Sequence, residues 1–430
     1  MIKQVVIRLI QGNEKNIPRD CFIWNTFAGL VNAAEAVVMM VIITRIEGVT
    51  AAGVLSIAFA IGNLFMTIGK YGVRNYQATD IDNRHTFNSY LTMRIITTAM
   101  MFIVSAVYVL WKNFYGKYSV EKAGVVFLIC CIYMVECIED VFLGHYQKEG
   151  RLDISSKIFV IRWMLILMIF CICMSARVEL FLSLLVSFLI STVVELCVLV
   201  CTKTLFKLPE LRIEIKEVRN IFRNCTALFL AAFLTYYVTN APKYAIDAIL
   251  SEEMQAYYGY ISMPVFVVEL LNCFLYQPKM VLMAQDWNQK KVKELNRKIG
   301  NQIIEIIILT CLCVLGTYLF GVQALSILYG VNLSDYREEL ILLMLAGGGL
   351  AFVGYTSVVL TIMRKQNALL CNMILVSIAA LFGFKIFVKK WGILGAILYY
   401  LLLMIALAVE NGSVICITEW KYKNKEVCKE

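Results

Sequence analysis

Several charged side chains lie inside otherwise apolar sequence: Glu35, Arg162, Glu195, Lys243, Glu269 and Glu305. At a bilayer centre each costs roughly 3 kcal/mol on translocon-type scales, so each calls for a partner, a wet cavity or a ligand. The densest polar group runs from Thr235 to Asp247 and includes Asn240, Pro242, Lys243 and Tyr244. Asn240, Tyr244 and Asp247 recur at i, i+4 and i+7 and share one helix face, while Lys243 and Asp247 are i, i+4 neighbours. Pro242 has no N–H, so it frees the carbonyl of Val238 and marks a hinge. Polar groups at such a bend can line water within a membrane. The chemistry on offer is anion recognition, with Lys243 as a compact point charge and Arg162 as a bidentate fork for phosphate. The same spacing also lets Lys243 pair with Asp247 or snorkel to the outer interface.

A second group is acidic. Glu136 and Asp140 are i, i+4 on one face, with Glu139 beside them, near the end of an apolar run. They either meet Arg162 or Lys279 in a cavity or pair with Lys148 and Arg151 as helix-end charges. Glu35 is a further candidate cavity acid. Lys70, Arg74 and Arg84 flank another apolar run, as topology determinants or as a capture site for an anionic head group. Tyrosines at 236, 237, 244, 257, 258 and 260 either stack on sugars or form an interfacial aromatic belt. Gly347, Gly348 and Gly349 lack the Lys-Ser/Thr of a phosphate loop and lie in apolar sequence, so they predict close helix packing.

Other chemistries have no footprint. There is no Walker motif, no zinc-ligand spacing and no catalytic triad, and the expected protein is a non-enzyme without metal or cofactor. The fifteen cysteines fall mostly in apolar runs without a CxxC pair, and His85 and His145 are far apart in sequence. Reduced cysteines acting as small hydrophobes account for that pattern.

The elements that must position these residues are membrane helices. The chain has 430 residues, 60% of them hydrophobic, with a mean hydropathy of +0.74, whereas soluble domains are about 45–50% apolar. Apolar runs of bilayer-crossing length recur throughout, and the period-2 alternation of a membrane β-barrel is missing. The spans fall near 20–43, 50–69, 90–110, 122–144, 155–175 and 179–201, then 225–247, 256–284, 300–320, 339–362, 368–388 and 391–417. This is an all-α polytopic membrane protein with about twelve transmembrane helices. Residues 1–202 form an N-terminal six-helix bundle, 203–224 a basic interfacial connector, 225–417 a C-terminal six-helix bundle, and 418–430 a basic tail. Six spans, a connector and six more suggest an internal duplication.

The net charge is +9, which in a soluble protein would suggest nucleic acid. Here the charges lie in loops and report topology. With both termini inside, the cytoplasmic segments hold 27 Lys and Arg and the outer loops hold 8, as the positive-inside rule requires. Arg94, Arg162, Lys243, Lys279 and Lys385 lie in or at the ends of spans, and Lys389-Lys390 runs against the rule. The first residues read as an amphipathic lead-in and not as a cleavable signal.

The segment Asn240–Asp247, followed by Tyr258-Gly-Tyr260, Met263-Pro264 and Gln277-Pro278, resembles the second half of the Wzx-like flippases of bacterial polysaccharide units. Arg74-Asn-Tyr-Gln77 with Asp80, and Gln147 to Asp153, are similar to that family's first-half patterns. The resemblance spans most of the chain, weakest after about Asn301, and the family lies in the multidrug/oligosaccharidyl-lipid/polysaccharide (MOP) exporter superfamily. It implies a MATE-like arrangement of two six-helix bundles around a cationic central cavity.

The resemblance further implies the substrate and the setting. The substrate is an undecaprenyl-pyrophosphate-linked glycan, moved from the inner to the outer leaflet of a bacterial cytoplasmic membrane by alternating access. The product feeds surface polysaccharide synthesis, with membrane lipids and a polysaccharide polymerase as partners. Lys243, Arg162, Asn240, Tyr244 and Arg74 are then candidate substrate ligands, Asp247, Asp140, Glu136 and Glu35 cavity acids or ion-pair partners, and Pro242 the hinge. Alternatives are a cation-coupled drug exporter of the same superfamily, a lipid II flippase, and a membrane-embedded glycosyltransferase. The last is disfavoured by loops of about 20 residues at most.

Overall fold

The computed structural model describes residues 11, 16–80, 85–202 and 215–427. Lys3, Arg8 and Lys15 of the lead-in, Arg84, connector residues 203–214 and the last three residues of the tail lie outside the described residues. Among the described residues every regular element is a helix.

The first unit, to Tyr236, contains α1 (Ile17–Ile46), α2 (Val49–Lys70), a short α3 (Val73–Thr79), α4 (Phe87–Phe114), α5 (Val120–Lys148), α6 (Leu152–Ser175) and α7 (Leu180–Thr202). Their ends follow local chemistry. Thr86 and Ser119 cap α4 and α5 by accepting from the backbone N–H of Ser89 and Lys122, satisfying donors that a helix start leaves open. Helix α2 stops where Tyr71 and Gly72 both adopt positive φ, 45° and 68°, a left-handed exit that ends the ladder.

Helix α8 (Ile215–Ile249) runs through the division between the units, which falls between Tyr236 and Tyr237. The expected connector, 203–224, is described only from Ile215. Its described part, from Ile215, is already the first turns of this helix. The reason is local. Val218, Ile221, Phe222 and Cys225 give the basic segment a helical apolar stripe, and Val218, Ile221 and Cys225 are buried with Tyr71, Tyr90 and Val141.

The second unit contains the rest of α8, then α9 (Glu252–Ser262), α10 (Val265–Tyr276), α11 (Met280–Asn288), α12 (Val292–Gly316), α13 (Val322–Tyr329), α14 (Arg337–Ile362) and α15 (Gln366–Val427). The eighth span is broken at Met263-Pro264 and again at the 3₁₀ turn Gln277–Lys279, as prolines in a helix dictate. Gly392, at φ 58° and ψ −134°, breaks the long α15 into two spans.

Ten helices among the described residues are long and apolar enough to cross a membrane. Helix α5 fails that test only through its acids, and Gly392 divides the last segment, so the twelve-span reading is recovered. The chain is a multi-pass membrane protein. Its exposed apolar side chains, among them Phe102, Ile103, Val107 and Leu110 of α4, cover the outside of the helices, as lipid contact requires.

The glycine triplet of α14 shows how closely the helices approach. A Cβ at Gly347 would lie 2.9 Å from the Val265 carbonyl of α10, one at Gly349 2.9 Å from Met404 of α15, and one at Gly348 would collide with Thr310 of α12. Three consecutive glycines thus admit three different helices. Of the described cysteines none forms a disulfide. Cys130, Cys131, Cys137 and Cys225 are buried, whereas Cys171, Cys197, Cys311, Cys371 and Cys416 are exposed on the apolar exterior, so the expectation of buried thiols holds only in part.

Candidate functional site

The first unit carries a continuous buried polar network built on α5. Because 136, 139, 140 and 133 are spaced by three or four residues, Tyr133, Glu136, Glu139 and Asp140 form one stripe, and all four are buried. Arg162 of α6 reaches this stripe with both arms of its guanidinium. Its Nε donates to Glu139 Oε2 at 2.6 Å and its Nη2 to Glu136 Oε2 at 2.8 Å. The neighbouring Trp163 donates Nε1–H to the same Glu136 oxygen at 3.0 Å. Lys70, at the end of α2, donates to the other Glu136 oxygen at 2.7 Å.

One turn further along α5, Asp140 accepts from Arg94 at 2.7 Å and from Arg74 at 3.2 Å. Arg94 is fully buried and also donates to the Gly69 carbonyl at 2.9 Å, which Thr97 approaches at 2.8 Å. The last carbonyls of α2 have no helical partner. A cation and a hydroxyl one turn apart on α4 therefore close that helix end and complement its dipole. Gly69 permits the approach, since a Cβ there would meet Met101 and Cys137.

Glu35 of α1 joins through Tyr133, whose hydroxyl donates to it at 3.0 Å. Glu195 of α7 is buried within electrostatic reach of Glu139 and Arg162. Five atoms here have no hydrogen-bond partner, Glu35 Oε2, Arg94 Nε, Glu139 Oε1, Arg162 Nη1 and Glu195 Oε1, so the network has capacity for bound water.

This places the sequence candidates sharply. Glu136 pairs with Arg162, one of the two arrangements expected; Asp140 pairs with neither Arg162 nor Lys279. Lys279 instead bonds Glu305 at 2.6 Å and Gln302 at 2.9 Å in the second unit. Lys148 and Arg151 turn to Asp80 and Asp153. Arg74 and Lys70 are bound to α5 acids, and Arg162 has its charge matched by two carboxylates. Sequence reasoning missed Arg94 as the partner of Asp140. The signal was its place inside an apolar run, where an arginine demands a counter-charge.

Lys243 is different. It lies on α8 in the second unit, buried at 8% exposure, as Asn240 is. Among the described residues it makes no ion pair, and none joins it to Asp247. The expected Lys243–Asp247 pair is thus corrected. A lysine placed before an acid at i, i+4 is the weaker orientation, and the buried ammonium is not drawn out to the half-exposed Asp247. Pro242 precedes it inside the helix, which continues to Ile249. On the same helix, Tyr237 and Tyr244 stack at 6.0 Å with an interplanar angle of 22°. Tyr258 and Tyr260 are buried, and Tyr260 stacks on Tyr329 at 4.3 Å. They are packing residues and not an interfacial belt.

Comparison with known proteins identifies the fold. No protein-family model and no curated protein matches the chain. A multidrug-resistance MATE-family transporter of the MOP superfamily, in an inward-facing conformation, matches with a TM-score of 0.69 at 14% identity, over 92% of this chain and 95% of that one. The lipid II flippase MurJ, inward closed, matches with a TM-score of 0.70 at 12% identity, over 92% of this chain and 87% of that one. A MOP-superfamily transporter from Pyrococcus furiosus, described as having a binding pocket of reversed polarity that suggests a different function, matches at 0.57 and 15%, over 97% and 98%. The fold is that of MATE and MOP transporters.

Proposed function

We propose that this chain is a flippase for polyprenyl-pyrophosphate-linked oligosaccharide units, carrying the head group from the inner to the outer leaflet of a bacterial cytoplasmic membrane for surface polysaccharide synthesis. The observation that carries this reading is Lys243. Burying an ammonium without a counter-ion is costly, and the described residues match Arg94 and Arg162 with carboxylates but hold no ion pair to Lys243. A transported anion supplies the missing charge. A pyrophosphate does so with many acceptor oxygens, and a lysine point charge tolerates their changing orientation during passage.

Asn240 supplies a hydrogen-bonding amide one turn before Lys243, and the Tyr237–Tyr244 pair a stacking face for sugar rings. Pro242, just past the division between the units, serves as the hinge. The terminal orientation, with both ends cytoplasmic, follows the loop charges. The drug-exporter reading is weaker, because Glu136 and Asp140, which a cationic drug would use, are already bound to Lys70, Arg162, Arg94 and Arg74. A lipid II flippase is the second reading, favoured by the likeness to MurJ.

The test is replacement of the native copy by Lys243→Ala. Loss of surface polysaccharide with the protein still in the membrane, and with drug susceptibility unchanged, is the expected result. Unchanged polysaccharide would overturn the proposal.

A further inference from the structure

The first unit has a polar groove away from the α5 network, where α3 and the turn before α4 meet the first turns of α8. It encloses about 450 Å³ between Tyr76, His85, Asn220, Arg223 and Asn224. Asn220, Arg223 and Asn224 make one wall, because spacings of three and four residues put them on one face of α8. Tyr76 and His85 make the other. Each of these side chains carries an N–H or O–H donor, and no carboxylate lines the groove.

The walls are held in place. Asn224 donates one amide N–H to the Tyr76 hydroxyl at 2.9 Å and keeps the other. Tyr76 packs against His85 with ring centroids 6.0 Å apart, and Tyr71, stacked on both Phe222 and Phe229, fixes α8 against this end. The acid of this stretch, Glu217, accepts from Ser89 and from the Thr86 N–H and lies 3.9 Å from His85 Nδ1, but it does not line the groove. Arg223 is exposed and, among the described residues, makes no ion pair. Lys148, which lines the smaller cavity that shares His85, differs in having Asp80 3.8 Å away. Two further exposed cations, Lys216 and Arg219, lie on the same turns of α8, again without an ion pair among the described residues. Exposed Ile215 and Phe222 are interleaved with them, the mixture of apolar and basic side chains that suits a membrane surface.

We propose that this groove binds the phosphate group of an anionic compound, with Arg223 as its charged ligand and the amides of Asn220 and Asn224 as further donors. An ionised phosphate only accepts hydrogen bonds, which suits a lining of donors without a carboxylate. The guanidinium of Arg223 offers two parallel N–H groups at the spacing of phosphate oxygens, and Lys216 and Arg219 add attraction from the same helix. The phosphate belongs either to a lipid head group at the membrane surface or to a soluble phosphate compound. That such a lipid would lie in the inner leaflet rests on the orientation proposed for the flippase; the binding of phosphate does not.

Calorimetric titration of the purified full chain in neutral detergent at low salt tests this, with inorganic pyrophosphate and the short-chain lipid dihexanoyl phosphatidic acid as probes. At least one should bind. Binding of the lipid alone assigns the groove to lipid head groups, binding of pyrophosphate alone to soluble compounds, and binding of both to either source. Arg223→Gln should weaken binding about tenfold, the worth of one charge-assisted contact, and Asn220→Ala about threefold, that of a neutral hydrogen bond. Arg223→Lys should keep part of the affinity. Both positions are exposed, so the variants should stay monodisperse. The loss on Arg223→Gln should be the same with Lys243→Ala present. No binding of either probe, binding untouched by Arg223→Gln, or equally tight binding of succinate would each overturn the proposal. Binding lost through Lys243→Ala and not through Arg223→Gln would overturn it as well while leaving the flippase reading standing, so the two failures are distinguishable.

Discussion

Arg162 and Glu139 face each other inside the first unit with Nε and Oε2 2.6 Å apart and side chains 1% and 0% exposed. A pair so thoroughly removed from water holds helices together and does not wait for a ligand. The same guanidinium reaches Glu136, which Lys70 also holds. Four helices, α2, α5, α6 and, through Glu195, α7, therefore converge on it. Lys243 shows the opposite arrangement, a buried cation without an ion pair among the described residues. On the proposed reading, the contrast separates a structural cation from a functional one.

Removing Arg162 leaves two carboxylates buried without compensation. Arg162→Ala should destabilise the protein by about 3–5 kcal/mol, read as a fall in thermal midpoint and loss of the monodisperse peak in detergent. Arg162→Lys keeps the charge but not the two-armed geometry, so it should fall between the two and retain more export. An alanine variant as stable as the native protein would show that the network is not structural.

Arg94 and Asp140 should behave as a coupled pair. Either single substitution to leucine strands a buried charge or carboxylate, whereas the double substitution removes both. The double variant should be more stable than the sum of the single losses, by about 1–3 kcal/mol of coupling. Additive losses in a thermal-shift cycle would contradict the pairing.

Gly348→Ala places a Cβ on Thr310 and should cost about 1–3 kcal/mol, as overpacking does. Thr310→Ala in the same protein removes the colliding atoms and should restore most of the thermal midpoint. No recovery would mean that the α12–α14 contact is not what the glycine serves.

Much of the fold was legible in the sequence. Apolar runs of bilayer length gave the spans, although the eighth, expected as one run over 256–284, breaks at Pro264 and Pro278. What was not legible has a common physical cause. Charge partners across helices depend on which residues face each other in space, so Asp140 finding Arg94, and Lys70 finding Glu136, left no local pattern. The α8 start was hidden differently, because its apolar stripe is interleaved with Lys216, Arg219 and Arg223 and reads as interfacial until Tyr71 is seen packed on it.

Replacing Lys243 should separate stability from function. Lys243→Met keeps the length of the side chain and removes a buried charge that has no counter-ion among the described residues. Its thermal midpoint should equal or exceed that of the native protein, while polysaccharide export is lost, the trade-off expected of a functional site. A marked loss of stability would instead reveal that Lys243 is bound within the fold.

The most direct measurement is transbilayer movement in liposomes containing the purified protein and a fluorescent, short-chain polyprenyl-pyrophosphate oligosaccharide. The native protein should accelerate flipping, Lys243→Ala should slow it by about tenfold or more, the loss of one charge-assisted contact, and Lys243→Arg should retain part of the rate. Flipping by Lys243→Ala at the native rate, or no flipping by the native protein, would contradict the role assigned to Lys243.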